Sequence, residues 1–380
     1  MTVLAFVRPT KVGRILAIDT APSSPMSQPS LNGFGNAVIS VTSYCNAARA
    51  SALLPPLPGN VPAWYPTLNT NLQNMKGHAQ IWLDTIGPSM TAIPQAIINY
   101  DNKFEGQYAT IVALLTQIGT NPPTPQQKTD LLTEMNALLA YMQGQHKVIS
   151  DSNDALIAFN NNLSTDHTAL TTGAASVTAA IQSDQADVKA MKIQIDALHK
   201  AVDALNQQVT FSAIGIGGGL FVALIGVFLT IATVGAGAFV VVLGVAGAVA
   251  SIGTLIAAEV EIQQANDRIT AASAELSTDN QQITVLNSVS TTMDMLMKKN
   301  SDAMTSMTTI LTDWATLTGK LQGVIDDLNT AEGDIGSILD LGDMATTKAA
   351  WTQLAAFAQN MQNGLGNVTV DPTVTPIKAA

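Results

Sequence analysis

The side chains best suited to metal ligation or proton transfer are His78, His146, His167 and His199, and their spacing argues against both roles. A zinc site gathers His and Cys ligands a few positions apart. On one helix His146 and His167 would stand about 31 Å apart, and none of the four has a Cys or another His close by. They read as solvated or capping histidines. The glycine run Gly215-Ile216-Gly217-Gly218-Gly219 lacks both the GxGxxG and the GxxxxGK[ST] spacing that would cradle a phosphate, and no lysine follows it. No GxSxG nucleophile elbow occurs. Asp326 and Asp327 are adjacent, so on a helix they diverge by about 100° and form a solvated face rather than an acid–base pair. Cys45, beside Tyr44 and Ala48 on an expected helix, reads as a small buried hydrophobe. The cluster Met293, Met295, Met297, Met304 and Met307 reads as adaptable core or interface. No catalytic residue, cofactor or metal ligand is assigned, and an enzyme is the least supported class.

The stretch that stands out is chemically inert. No Asp, Glu, Lys or Arg occurs between Ala204 and Ala258. A helix crosses a bilayer core with about 20 apolar residues, so this run accommodates two crossings. Gly235, Ala236 and Gly237 sit near its middle and provide the expected turn between arms Phe211–Ala232 and Ala238–Ala258. The residues expected to enter lipid are Phe211, Leu220, Phe221, Val222, Leu224 and Phe228 on the first arm. Phe239, Val242, Leu243 and Leu255 do so on the second. Gly215 and Gly219 have the GxxxG spacing that lets helices approach closely. The flanks carry Lys200 and Arg268 against Asp196, Asp203, Glu259, Glu261 and Asp267. A resident anchor normally has a basic cytoplasmic flank and interfacial Trp or Tyr, and neither is present. Conditional insertion fits best; a resident anchor and a permanently buried core segment are the alternatives.

Long helices must carry this hairpin. From Gln126 apolar residues recur every three or four positions, or at their sum of seven. They run through Leu131, Met135, Leu138, Met142, Ile149, Leu156, Phe159, Leu163, Leu170 and Val177, then from Ile181 to Val209. Beyond the hairpin a second stripe runs Val289, Met293, Leu296, Asn300, Ala303, Met307, Ile310, Trp314, Leu317, Leu321, Val324 and Leu328. Both are heptad-type seams. Asn300 is the one polar member of the second stripe, a means of fixing register at some cost in stability. Joined by a hairpin, the two helices must run antiparallel and cover each other's stripes. Shorter helices are expected over 32–54, 63–118 (interrupted near Pro88 and Pro94) and 345–361, with GTNPPTP at 119–125 a loop.

The expected layout is a poorly ordered leader over 1–30, a helical tail bundle from 31–209 and 259–363, a hydrophobic head over 210–258, and a loose end over 364–380. The fold class is all-α: an elongated antiparallel long-helix bundle with a hydrophobic hairpin head. The net charge of −11 opposes nucleic-acid binding and adhesion to anionic lipid through a basic patch. Any membrane attraction is hydrophobic. Pro9 and Lys11 interrupt the apolar runs of the N-terminal stretch, so no standard secretory signal is recognisable and export would use another route.

The order long coiled-coil helix, uncharged hairpin, long return helix and shorter flanking helices resembles the α-helical pore-forming toxins of the cytolysin A superfamily. The nearer likeness is to the haemolysin BL and non-haemolytic enterotoxin components and their tripartite Gram-negative relatives. The resemblance implies a pore-forming toxin component whose head, hidden in the soluble form as a small beta-tongue or folded hairpin, inserts into target-cell membrane lipid during self-assembly. It also implies companion components. A lone pore former lines its channel with polar residues, whereas this head offers Thr230, Thr233, Ser251 and Thr254 beyond its opening Ser212. That composition suits a lipid anchor beside a partner that lines the lumen. A membrane-anchored coiled-coil protein and a structural coiled-coil spacer are the competing readings.

Overall fold

Two long helices dominate the computed structural model, which describes residues 28–51, 61, 63–180, 226–233, 239–246, 278–331, 335, 338–339 and 341–366. Helix α1 spans Gln28–Ala50. Helix α2 spans Tyr65–Ile81 and continues through a π-helical turn, Trp82–Ile86, and one α turn, Gly87–Ser89. Helix α3 is Ala92–Ile118 and α4 is Pro125–Ala180. Strands β1, Gly226–Thr233, and β2, Phe239–Ala246, form an antiparallel pair. Helix α5 is Thr278–Thr330 and α6 is Leu341–Gly366. The chain divides into two compact units, one of residues 1–32, 92–153 and 306–362, the other of 33–91, 154–305 and 363–380. Helices α4 and α5 contribute to both.

In the first unit the seam residues of α4 from Leu131 to Ile149 and those of α5 from Met307 to Leu328 are buried. The pairing is antiparallel. Lys128, near the start of α4, donates through Nζ to the carbonyls of Asn329 and Ala331 at the end of α5, both at 2.8 Å. These are carbonyls that the ending helix leaves unsatisfied. Farther along, Trp314 Nε1 donates to the Met142 carbonyl at 2.8 Å. Three large rings meet here: Tyr100 of α3 lies 4.5 Å from Trp351 of α6 and 6.1 Å from Trp314, centroid to centroid, and the two indoles are 6.3 Å apart. Edge-on and tilted packing of this kind adds to the area the rings bury. On the rim, Lys348 pairs with Glu105 at 2.7 Å and lies over the Tyr108 ring.

The second unit repeats the antiparallel pairing over Leu156–Leu170 and Val289–Ala303, and adds α1 and α2. Helix α2 presents Leu68, Leu72, Met75, Ala79 and Trp82 to the core, the three- and four-residue steps of an amphipathic helix. Trp82 packs on Phe159 at 4.9 Å and donates to Thr42 Oγ1 of α1 at 3.0 Å. The wide turn after it has a local cause. Pro88 brings no N–H, and its ring would strike the carbonyl four residues back. The Gly87 N–H instead bonds to the Trp82 carbonyl, five residues back, which is the π-helical pattern. The helix then breaks at Met90–Thr91, and Pro94 falls within the first turn of α3, where an amide donor is dispensable.

Three sequence expectations change here. Helix α1 begins at Gln28, inside the stretch expected as leader, and α6 starts four residues early and continues through Gly366. The interruption expected near Pro88 and Pro94 falls between them, at Met90–Thr91. His78 is not merely solvated: its Nδ1 lies 2.7 Å from the Asp166 carboxylate. The helical patterns expected over 181–209 and 259–277 lie outside the described residues.

Exposed faces of these helices are coated with hydroxyls. Thr116, Thr129, Thr133, Thr305, Thr312 and Thr316, among others, each donate to the carbonyl four residues back. Trp314 is by contrast buried and tied to the neighbouring helix. Trp314→Ala should cost about 3–5 kcal/mol, whereas Thr316→Ala should stay within about 0.5 kcal/mol. Urea unfolding of both variants checks the contrast.

Candidate membrane-inserting head

Within the uncharged run the structure describes the two strands. Their register pairs Gly226 with Ala246, Leu229 with Leu243, Thr230 with Val242 and Thr233 with Phe239. Residues 234–238, which hold the expected turn segment, lie between the two strands in the chain. The sequence reading drew these arms as helices for crossing lipid and, through the resemblance, left a small beta-tongue or a folded hairpin for the soluble form; in this conformation 226–233 and 239–246 are strands. The physical reason is composition: GVFLTIAT and FVVVLGVA are rich in β-branched and aromatic residues, which fit a pleated backbone and lose rotamer freedom in a helix.

Four of the proposed lipid-facing residues lie in the strands: Phe228 opposite Gly244, Phe239 opposite Thr233, Val242 opposite Thr230, and Leu243 opposite Leu229. Phe211, Leu220, Phe221, Val222, Leu224 and Leu255 lie outside the described residues. So do the close-packing pair Gly215 and Gly219 and the turn residues Gly235, Ala236 and Gly237. Among the described residues no helix is long and apolar enough to cross a membrane.

The helices of the same unit carry buried polar groups on their seams. Asn300 is fully buried. Its Nδ2 donates to the Leu156 carbonyl and to Asn160 Oδ1, each at 3.3 Å, while its Oδ1 has no partner. Asp166 was missed by the sequence reading. It is 3% exposed, and burial pushes its carboxyl above the usual carboxylate range against the opposing pull of His78. Its signal was present: the seven-residue step from Leu163 to Leu170 leaves Asp166 on the buried stripe. On the next position, His167 reaches Asp294 of α5 at 2.8 Å.

This arrangement has known counterparts. Residues 59–204, under half of the chain, match the Bacillus haemolytic enterotoxin (HBL) family. Among solved structures, the Bacillus cereus HblL1 toxin component is 19% identical with a TM-score of 0.62, covering 88% of this chain and 95% of its own. Soluble AhlB of the tripartite α-pore-forming toxin AHL from Aeromonas hydrophila is 18% identical with a TM-score of 0.69, covering 92% and 96%. Motility Associated Killing Factor B from Vibrio cholerae reaches a TM-score of 0.71 at 14% identity, covering 88% and 91%. This is the fold of the α-pore-forming toxin components. No curated protein sequence matches the chain. Within the toxin-component fold, the two-stranded element falls inside the run that the sequence singles out as the head.

The polar seam makes two measurable predictions. Asn300→Leu removes an unpartnered buried carbonyl and an amide whose three hydrogen bonds, to Leu156, Asn160 and Met304 Sδ, are all long, so stability should rise by about 1 kcal/mol in urea unfolding. A loss of that size would mean that the side-chain amide contributes more than its burial costs. For Asp166 the native state holds its proton more tightly than the unfolded chain does. Stability therefore falls as pH rises through the window above the ordinary carboxylate value. Relative to the parent, Asp166→Asn should gain stability as pH increases from about 4, and parallel unfolding curves across pH would check the sign.

Proposed function

We propose that this protein is a component of a pore-forming toxin that inserts its hydrophobic hairpin, residues 210–258, into a target-cell membrane. The observation that carries the proposal is a long stretch without an ionisable residue, Ala204–Ala258, set in a chain with the toxin-component fold. The work is mechanical, and no catalytic group, metal or cofactor is assigned to it.

Insertion demands a change of secondary structure. A two-stranded sheet leaves the outer N–H and C=O groups of both strands unpaired, and in lipid only helices and closed barrels satisfy all of them. Refolded as helices, arms Phe211–Ala232 and Ala238–Ala258 each reach about 30 Å, the thickness of the hydrocarbon core. Gly215 and Gly219 then let the arms pack closely. The sparse hydroxyls of the head serve poorly as a channel lining, which favours companion components that supply the lumen and an assembly that contains further copies of this chain. The protein would act on the target membrane after release from its cell. A membrane-anchored coiled-coil protein remains the second reading; recovery of the native protein in a detergent-free soluble fraction would exclude it.

A charge at the centre of a span costs about 2.5–3.5 kcal/mol. Val222→Asp and Val242→Asp should therefore sharply reduce liposome insertion, and lysis with any companion components, while circular dichroism and gel filtration report an intact protein. A charge at Ala236 should be tolerated better. Full lysis by an intact Val222→Asp or Val242→Asp protein would remove the hairpin from the inserting role.

A further inference from the structure

A groove of about 750 Å³ runs between the first turns of α2 and the last described turns of α4, within the second unit. Its floor is Leu68 of α2 against Ala169 and Gly173 of α4. The absence of a side chain at Gly173 sets this floor: a Cβ there would come within 2.5 Å of Leu68 Cδ1. Asn71 pins the two helices together, its Nδ2 donating to the Ala169 carbonyl at 3.3 Å. Trp64 closes one end of the groove, half-buried and tilted against Tyr65 at 5.8 Å.

Among the described residues the lining contains no Asp, Glu, Lys, Arg or His. That excludes recognition of phosphate, sulfate or a carboxylate by charge pairing. It is nonetheless rich in hydrogen-bonding groups. Thr165 and Thr168 spend their hydroxyl protons on their own helix and keep acceptor lone pairs. Thr67, Ser164 and Thr172 add further hydroxyls to the lining. A ligand that matches this set is uncharged, carries many hydroxyls, and has an apolar face that can lie on an indole. Pockets of this kind combine an aromatic wall with a few placed polar groups.

We infer that the groove between α2 and α4 binds a neutral carbohydrate, with Trp64 as the stacking platform and the hydroxyls of α4 as hydrogen-bond partners. This goes beyond the membrane-inserting role and stands whether or not the head enters lipid. The sugar can be a free oligosaccharide or the headgroup of a glycolipid, since both present the same chemistry.

The intrinsic fluorescence of the full chain provides the test. Trp82, Trp314 and Trp351 are at most 1% exposed, so an added sugar reaches Trp64 first among the four tryptophans. The full chain is titrated with neutral mono- and oligosaccharides, with their sialylated counterparts, and with phosphatidylcholine vesicles with or without a neutral glycosphingolipid. The expected result is a saturable change in Trp64 emission with a neutral sugar, free or on the vesicle. Isothermal titration should show at least tenfold weaker binding in Trp64→Ala and in Thr168→Arg. Thr168 is exposed, so its replacement fills the groove without disturbing the core, and unchanged circular dichroism verifies this. A response to free sugar places the site on soluble glycans, and one confined to glycolipid vesicles places it on a membrane headgroup; either supports the inference. It is overturned if no neutral sugar binds in either form, if only sialylated sugars bind, if plain phosphatidylcholine gives the same response, or if both variants bind like the parent.

Discussion

Two long apolar stripes in one chain cannot remain in water, and each of them is the cover the other requires. That mutual burial of α4 and α5 determines how the remaining elements are placed. The pairing is antiparallel because the connection between the helices passes through the strands, and its register is marked at several levels. Lys128 caps the end of α5, Trp314 bonds into α4, and Asn300 bonds to the backbone at Leu156. Each contact is polar and directional, whereas the stripes themselves are greasy and would tolerate a slip of one heptad. Within the first unit α3 and α6 complete the core through Tyr100 and Trp351, and within the second α1 and α2 do so through Thr42 and Trp82.

Much of this was legible from periodicity. From Leu131 to Leu170 and from Val289 to Leu328, every member of the two stripes named from the sequence is buried, Asn300 included. An amphipathic helix declares its inner face in the spacing of its apolar residues, and that pattern needs no knowledge of the partner. The head was legible in a different sense. Its lack of charge marked it as exceptional, but an unbroken apolar run has no period by which to separate helix from strand. The choice between the beta-tongue and the folded hairpin that the resemblance implied therefore had to come from the structure, although the β-branched content of 239–246 leaned toward strands.

Other features escaped because they depend on a neighbour. Asp166 sits on the stripe, but only the packing of α2 makes it a buried carboxylate with His78 beside it. The π-helical turn follows from Pro88, yet sequence alone specifies a break there and not how the backbone makes room. The groove beside Trp64 exists because Gly173 lets Leu68 come close. A lone glycine inside a long helical pattern is not by itself a signal of a second helix lying against it.

The hydroxyl-coated faces of the helices have a mechanical consequence. With 12% charged residues in the chain, much of the outer surface is threonine and serine whose protons are already committed to their own helix. Such bonds travel with the helix when it moves, and they slightly loosen and bend it. A helix so clothed can exchange one neighbour for another without first dissolving a lattice of ion pairs, and with little dependence on ionic strength. For any movement of one long helix along another, that surface acts as a bearing rather than a clasp.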